Sequence, residues 1–196
     1  MITAIQLATC SMGAYAFSKL RFPGRDQLFL GYLATMMVPW HAIMIPQFMV
    51  VRNLGLYNTH LALILLKAFS AFGVFVLRQN MISIPDSLHE AAKMDGCGPV
   101  KTYLHIMIPL CKAGLATITI LTFNDVWNDY MAPMIYLETG RLWTIQLGLA
   151  TFQKEFSADY GAIMAGTVCS MIPIVLVYAA AQKYIIEGVA YSGVKG

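Results

Sequence analysis

The chain has 196 residues, of which 58% are hydrophobic and 12% are charged, whereas soluble domains carry roughly 25% charged residues. With a mean hydropathy of +0.64, this composition excludes an ordinary soluble domain and predicts an integral membrane protein. The formal net charge of +3 is too small to indicate nucleic-acid binding, so we expect the lipid bilayer, and no nucleic acid, as a partner.

Five apolar segments approach the roughly 20 residues that a membrane-crossing helix needs. In chain order they are residues 2–18, 29–51, 61–77, 103–123 and 161–184. Prolines inside them are compatible with helices whose neighbours satisfy the freed backbone groups. Gly73, Gly114 and Gly166 would let helices approach closely. We predict an all-α fold, a polytopic membrane helical bundle in which residues 1–196 form one transmembrane domain.

Basic residues are unevenly shared between the two sets of predicted loops. Lysine and arginine concentrate in cytoplasmic loops. One side carries Lys19, Arg21, Arg25, Arg78, Lys93, Lys101, Lys183 and Lys195. The other side carries Arg52, Arg141 and Lys154, together with Asp125, Asp129, Glu138, Glu155 and Asp159. We therefore expect residues 81–109 and the C-terminus in the cytoplasm, and Met1 near the outer face.

The predicted cytoplasmic loop, residues 81–109, contains the most informative local signals. Ser87 and Glu90 have the S-x-x-E spacing of a capping box, which predicts the start of a short helix. Gly96 is the residue expected in a left-handed conformation after the last turn of that helix. Pro99 suits the first turn of a second helix. Together these signals predict a helix-turn-helix on the cytoplasmic surface.

One face of the first loop helix is small and mostly apolar, because Leu88, Ala91, Ala92 and Asp95 recur at helical spacing. Alanines allow close approach of another surface, so the face suits a groove on a partner protein. A helix lying on lipid is the alternative. Such helices usually oppose large apolar residues to a lysine- and arginine-rich face, and this pattern is absent here.

The spacing of this loop resembles a known family. Glu90-Ala91-Ala92, then Gly96, then Ile106-Met107-Ile108-Pro109 is similar to the E-A-A-x3-G-x9-I-x-L-P loop of the membrane subunits of binding-protein-dependent ABC importers. Ile108 departs from that pattern, in which leucine is usual. The stretches AYAFSKLRFPGRDQLF and FNDVWNDYMAPMIYL, among others, resemble the carbohydrate branch, the maltose/multiple-sugar-type permeases in their maltose-G-like half.

The resemblance implies that the loop forms a coupling helix seated in a cleft of a cytoplasmic ATPase. Its coupling residues would be Glu90, Ala91, Ala92, Asp95 and Gly96. Implied partners are a second permease subunit, an ATPase dimer and an extracytoplasmic sugar-binding protein, in a bacterial-type inner membrane. Family members usually have six core crossings. The resemblance implies that the sequence lacks the first of them, and a truncated, non-transporting fragment or interaction subunit is the alternative.

No catalytic constellation is present in the sequence. H-E-x-x-H, G-x-S-x-G and Walker A patterns are absent, so we predict no catalytic residue, no metal site and no cofactor, and we expect ATP hydrolysis in a separate subunit. The four cysteines are too widely spaced for a metal motif and are expected to be small buried hydrophobes. They are Cys10, Cys97, Cys111 and Cys169.

Two further features leave functional and structural interpretations open. Lys67 falls inside the third apolar segment, where a charge is costly and indicates function by default; a lysine that faces a partner helix or a water-filled path explains it as well. A polar and aromatic cluster follows the fourth segment, and a sugar path would use such groups, as would interfacial anchors and helix caps. Its members are Asn124, Asp125, Trp127, Asn128 and Asp129.

Overall fold

The computed structural model describes residues 1–152 and 160–193, with side chains as far as Tyr184. The described residues form helices and contain no strand, which confirms the all-α prediction. The helices are α1 (Ile2–Lys19), α2 (Arg25–Ala34), α3 (Trp40–Asn53), α4 (His60–Leu66), α5 (Ala71–Ile82), α6 (Asp86–Met94), α7 (Pro99–Thr102), α8 (Ile108–Leu110), α9 (Lys112–Trp127), α10 (Met131–Tyr136), α11 (Ile145–Ala150) and α12 (Tyr160–Gly193). Lys154, Glu155, Asp159 and Lys195, which entered the orientation prediction, lie outside the described residues.

Prolines bend two of the segments that the sequence presented as continuous. Residues 25–37 and 40–53 meet at 98°, because Pro39 disfavours a helical conformation at Val38, which is extended. Residues 99–110 and 112–127 meet at 81°. There Pro109 lacks the N–H donor that a regular helix needs, and residues Tyr103–Met107 form a π-helical turn.

The third predicted segment, 61–77, is also two helices, α4 and α5, bent by 46°. Ser70 begins α5, since its side chain accepts a hydrogen bond from the Gly73 N–H at 3.1 Å. Lys67 follows the last residue of α4 and therefore lies at the break rather than inside a helix. Side-chain capping by a serine in an apolar run is the local cause of this interruption.

The centre of the bundle is the packing of α1 against α5 and α9. Cys10, Ala14, Leu77 and Ile118 are essentially inaccessible there. Glycines set the spacing, as predicted: a Cβ on Gly73 would lie 2.8 Å from Cys10 Sγ, and one on Gly114 2.8 Å from Asn80 Cγ. The same holds for Gly166, where a Cβ would collide with Leu149.

Within the described residues, one helix is long and apolar enough to cross a membrane, Tyr160–Tyr184 of α12, and the number rises to four if each bent pair is a single crossing. By this measure α1, which covers the predicted segment 2–18, does not qualify. Polar residues such as Gln6, Ser18 and Lys19 lower the mean hydropathy of this 18-residue helix. α12 packs on α9 and leaves large apolar side chains such as Met164, Val168 and Leu176 exposed.

Candidate functional site: helix α6 and its contacts with the bundle

Helix α6 ends in a well-formed glycine cap. Gly96 has φ +76°, which confirms the predicted left-handed residue. The Gly96 N–H donates to Lys93 O at 3.1 Å, and the Cys97 N–H donates to Ala92 O at 2.9 Å. This pair of bonds is a Schellman motif, which satisfies two carbonyls at the helix end. Pro99 then begins α7, also as predicted.

The start of α6 differs from the prediction. The helix begins at Asp86 with Pro85 as N-cap and no side-chain cap, so Ser87 and Glu90 lie inside the helix and the capping box is wrong. Proline at the N-cap position fixes an extended backbone there, with ψ 135°, and the helix starts two residues earlier than the capping box predicts. Asp86 in the first turn is favourable to the helix dipole.

A buried lysine attaches this first turn to α1. The Lys19 side chain is 2% exposed; its Nζ donates to Asp86 Oδ1 at 2.5 Å and to Ile84 O at 2.7 Å. The hydrogen bond and positive charge of Lys19 lower the pKa of the Asp86 carboxyl, with smaller contributions from Arg21 and His89. Asp86 therefore remains a carboxylate at neutral pH, and the end of α1 is fixed to the start of α6.

The inner face of α6 packs on aromatic residues of the bundle. Ala92 is buried, and the His89 ring lies edge-on to Tyr15, with centroids 6.0 Å apart. Tyr15 in turn packs on Tyr103, whose hydroxyl is 2.7 Å from Ser11 Oγ. Among the described residues, the buried Tyr15 hydroxyl and His89 Nδ1 have no hydrogen-bond partner.

The outer face of α6 is open. Four of the five predicted coupling residues, Glu90, Ala91, Asp95 and Gly96, are exposed, whereas Ala92 points inward. The apolar surface formed by Leu88 and Ala91 continues to Met94, which is 88% exposed. Met94 was not identified from the sequence. Val100 extends the apolar surface into α7.

A groove of about 910 Å³ runs along the side of α6. Its lining is rich in basic side chains from the end of α1, the α1–α2 connection, α2, α5 and α6. They are Lys19, Arg21, Arg25, Arg78 and Lys93. Arg78 stacks on Phe29, 4.2 Å from the ring centroid, and donates to the Phe17 carbonyl at 3.1 Å. Glu90 and Gly96 also line the groove.

The five polar and aromatic residues after the fourth segment do not act as one group. Trp127 is directed to α12, where its Nε1 donates to Ser170 O at 2.9 Å. Asn128 bonds to Asn124 and accepts from Gln146 Nε2 at 3.2 Å. Asp125 and Asp129 instead face Lys67, whose Nζ lies 2.8 Å and 2.9 Å from their carboxylates.

The residues missed from the sequence are those whose partners lie far away in the chain. Lys19 and Asp86 are 67 positions apart, and no local pattern marks such a pair. The only available signal was a lysine at the end of an apolar segment. Within residues 1–152 and 160–193, no group of three or more His, Cys, Asp and Glu side chains is placed to hold a metal ion.

Comparisons with known proteins agree with this architecture. Residues 10–191 match the family described as "Binding-protein-dependent transport system inner membrane component". The chain is 34% identical to the arabinooligosaccharides transport system permease protein AraQ of Halalkalibacterium halodurans, over 100% of this chain and 70% of the relative. It is also 34% identical to the lactose transport system permease protein LacG of Rhizobium radiobacter, over 95% and 68%.

A solved structure shows the same fold. It is the crystal structure of a bacterial ABC transporter involved in the import of the acidic polysaccharide alginate, with a TM-score of 0.80 and 34% identity over 92% of this chain and 69% of that one. The chain therefore belongs to the family of inner-membrane components of binding-protein-dependent transport systems. It is a transmembrane permease subunit, not itself an enzyme.

Proposed function

We propose that this permease subunit belongs to an ATP-driven carbohydrate importer and that α6 is the helix through which a separate ATPase moves the bundle. The observation that carries the proposal is the structure of α6: a capped helix with an exposed outer face that carries Leu88, Ala91 and Met94, and an inner face fixed to the bundle. A docking helix needs both properties. The relatives named for arabinooligosaccharide, lactose and diacetylchitobiose transport support a carbohydrate substrate.

The contacts of α6 provide a path from the docking face to the bundle. At its start, Lys19 and Asp86 join it to α1; along its inner face, His89 meets Tyr15. At its end, Gly96 leads through α7 and the π-helical turn to α9. A displacement of α6 would act on α1 and α9, which contact each other, and alternating access requires such a shift between two arrangements.

Two observations support the proposed partners. The family name refers to a binding protein, and the sequence has no Walker A pattern, which is consistent with ATP hydrolysis in another subunit. We propose a second permease subunit against the exposed apolar faces, an ATPase dimer on α6, and an extracytoplasmic sugar-binding protein at the opposite end. The basic groove beside α6 supports a cytoplasmic position for this end and for the C-terminus.

The test is a charge reversal on the docking face with a matched control. Glu90→Lys changes an exposed residue of α6, and Glu138→Lys makes the same change at an exposed position between α10 and α11. Both variants are assembled with their partner subunits in liposomes, and uptake and ATP hydrolysis are measured together. We expect Glu90→Lys to lose at least about tenfold in uptake per ATP hydrolysed, which corresponds to about 1.4 kcal/mol of coupling.

Glu138→Lys is expected to keep normal coupling, which shows that the loss is specific to α6. Wild-type coupling in the Glu90→Lys complex would contradict the proposal. Failure of the ATPase to co-purify with the Glu90→Lys chain would support the docking role, provided that the Glu138→Lys chain still brings the ATPase down.

A further inference from the structure

A second cavity, of about 340 Å³, lies between α3, α4, α9 and α10. It is near the lower end of the range of about 300–1,000 Å³ typical of small-molecule pockets. Its polar and aromatic lining residues are Trp40, Gln47, Lys67, Asp125, Asp129 and Tyr136. They come from three helices, α3, α9 and α10, and from the α4–α5 break and the α9–α10 connection, and the cavity is at the end of the bundle where α9 ends.

Three charges define one side of this cavity. Lys67 Nζ bridges Asp125 Oδ2 at 2.8 Å and Asp129 Oδ2 at 2.9 Å. Asp129 is further held by the Ala132 N–H, which donates to its Oδ1 at 3.2 Å. Asp125 keeps 72% of its side chain exposed. Two carboxylates and one ammonium leave a net charge of −1, and the ammonium has a third N–H to offer.

The other side of the cavity is aromatic and holds an oriented amide. Trp40 Nε1 and the Tyr136 hydroxyl both donate to Gln47 Oε1 at 3.0 Å. These two donors fix the amide with its oxygen toward the rings. Among the described residues, the Gln47 Nε2 group has no acceptor, so its two N–H donors remain for another molecule. Tyr136 is fully buried, which makes this wall rigid.

We propose that this cavity binds a neutral saccharide and that Lys67 and the two aspartates set its charge selectivity; this proposal rests on the carbohydrate-importer function proposed above. Exposed carboxylate oxygens accept from sugar hydroxyls, while the Lys67 ammonium and the Gln47 amide donate to them. The Trp40 ring provides an apolar surface for the C–H face of a sugar ring. A uronate would bring its own carboxylate to the exposed Asp125 and be repelled.

The test measures occupancy of the cavity rather than transport. Met131 lines the cavity and is 43% exposed, whereas Met134, one turn further along α10, is 54% exposed and is not among the residues that line it. Met131→Cys and Met134→Cys are made separately in a chain whose four cysteines are replaced, assembled in the complete importer. The rate of modification by a small thiol reagent is then followed with lactose, arabinobiose, diacetylchitobiose or digalacturonate in excess.

We expect at least one neutral saccharide to slow the modification of Met131→Cys by a factor of about three, because a cavity that is about two-thirds occupied leaves one-third of the molecules open to the reagent. The modification rate of Met134→Cys should not change. Digalacturonate should not slow the modification of Met131→Cys. Adding Asp125→Asn takes the net charge of the three groups to zero and should allow digalacturonate to protect. The proposal would be overturned if none of the three neutral sugars protected Met131→Cys, or if both cysteines were protected equally. Protection by digalacturonate with Asp125 present would also overturn it.

These outcomes are separate from those of the α6 experiment, since cavity occupancy needs no ATP-driven step. Loss of coupling in Glu90→Lys together with no protection at Met131→Cys would leave the importer function standing and remove the saccharide pocket from this subunit.

Discussion

Gly96 is the residue on which the geometry of α6, the proposed docking helix, depends most directly. Its φ of +76° is a conformation that other L-residues adopt at a cost, and a Cβ there would meet no atom within 4 Å. The cost of a side chain at this position is therefore conformational and not steric. Gly98, two positions on, has φ −69° and equally open surroundings, so it serves as a control.

Gly96→Ala is expected to destabilise the end of α6 by about 1 kcal/mol, because alanine resists the left-handed conformation that the Schellman motif requires. Hydrogen exchange of the Gly96 and Cys97 amides, which make the two cap bonds, should speed up by about fivefold. Gly98→Ala should leave these rates unchanged. Equal acceleration in both variants would show that the cap is not what holds this helix end.

The sequence predicted those features of the site that depend on neighbouring residues, and it missed those that depend on residues far away in the chain. Gly96 and Pro99 were identified because their conformations depend on immediate neighbours. The capping box failed because Pro85, just outside it, moved the helix start to Asp86. Lys67 was recognised as unusual, but its contacts with Asp125 and Asp129 depend on packing between elements about 60 positions apart.

At the scale of the elements, α1 and α5 are held together by a close contact that has no room for a side chain. A Cβ on Gly73 would lie 2.8 Å from Cys10 Sγ and 3.4 Å from Cys10 Cβ, and Cys10 is inaccessible to solvent. The close helix contact predicted at Gly73 is thus a contact with one residue of α1, Cys10. The bends, by contrast, were not predicted, since segments 29–51, 61–77 and 103–123 were each expected to be continuous. Pro39, Pro109 and Ser70 lie where the bends occur, whereas packing between helices sets the angles.

Gly73→Ala should destabilise the subunit by about 1–3 kcal/mol through overpacking at the α1–α5 contact. Cys10→Ala removes the colliding sulfur and should restore much of that loss in the double variant, while costing little alone. Thermal unfolding of the assembled complex in detergent, compared for the two single variants and the double variant, measures this. Additive losses in the double variant would contradict a direct contact between the two positions.

At the scale of the whole molecule, α1 connects the two sites for which functions are proposed above, α6 and the Lys67 cavity. Its 18 residues span about 27 Å at 1.5 Å per residue. Ile2 packs on the cluster that contains Val51, Tyr136 and Leu137, beside the Lys67 cavity. At the other end, Lys19 forms an ion pair with Asp86 of α6. α1 therefore connects α6 with the cavity for which a saccharide is proposed.

This arrangement requires the two ends to face opposite sides of the membrane, which cysteine labelling can test. Gln27, near the end of α1 that carries Lys19, and Glu138, near the cavity end, are both exposed and lie away from the docking face of α6. In a chain without its natural cysteines, an impermeant maleimide added to right-side-out vesicles should label Glu138→Cys and not Gln27→Cys. Inverted vesicles should show the reverse, because basic loops stay in the cytoplasm. Labelling of both positions from one side would contradict a transmembrane α1, and the opposite orientation would place the docking helix where no ATPase could reach it.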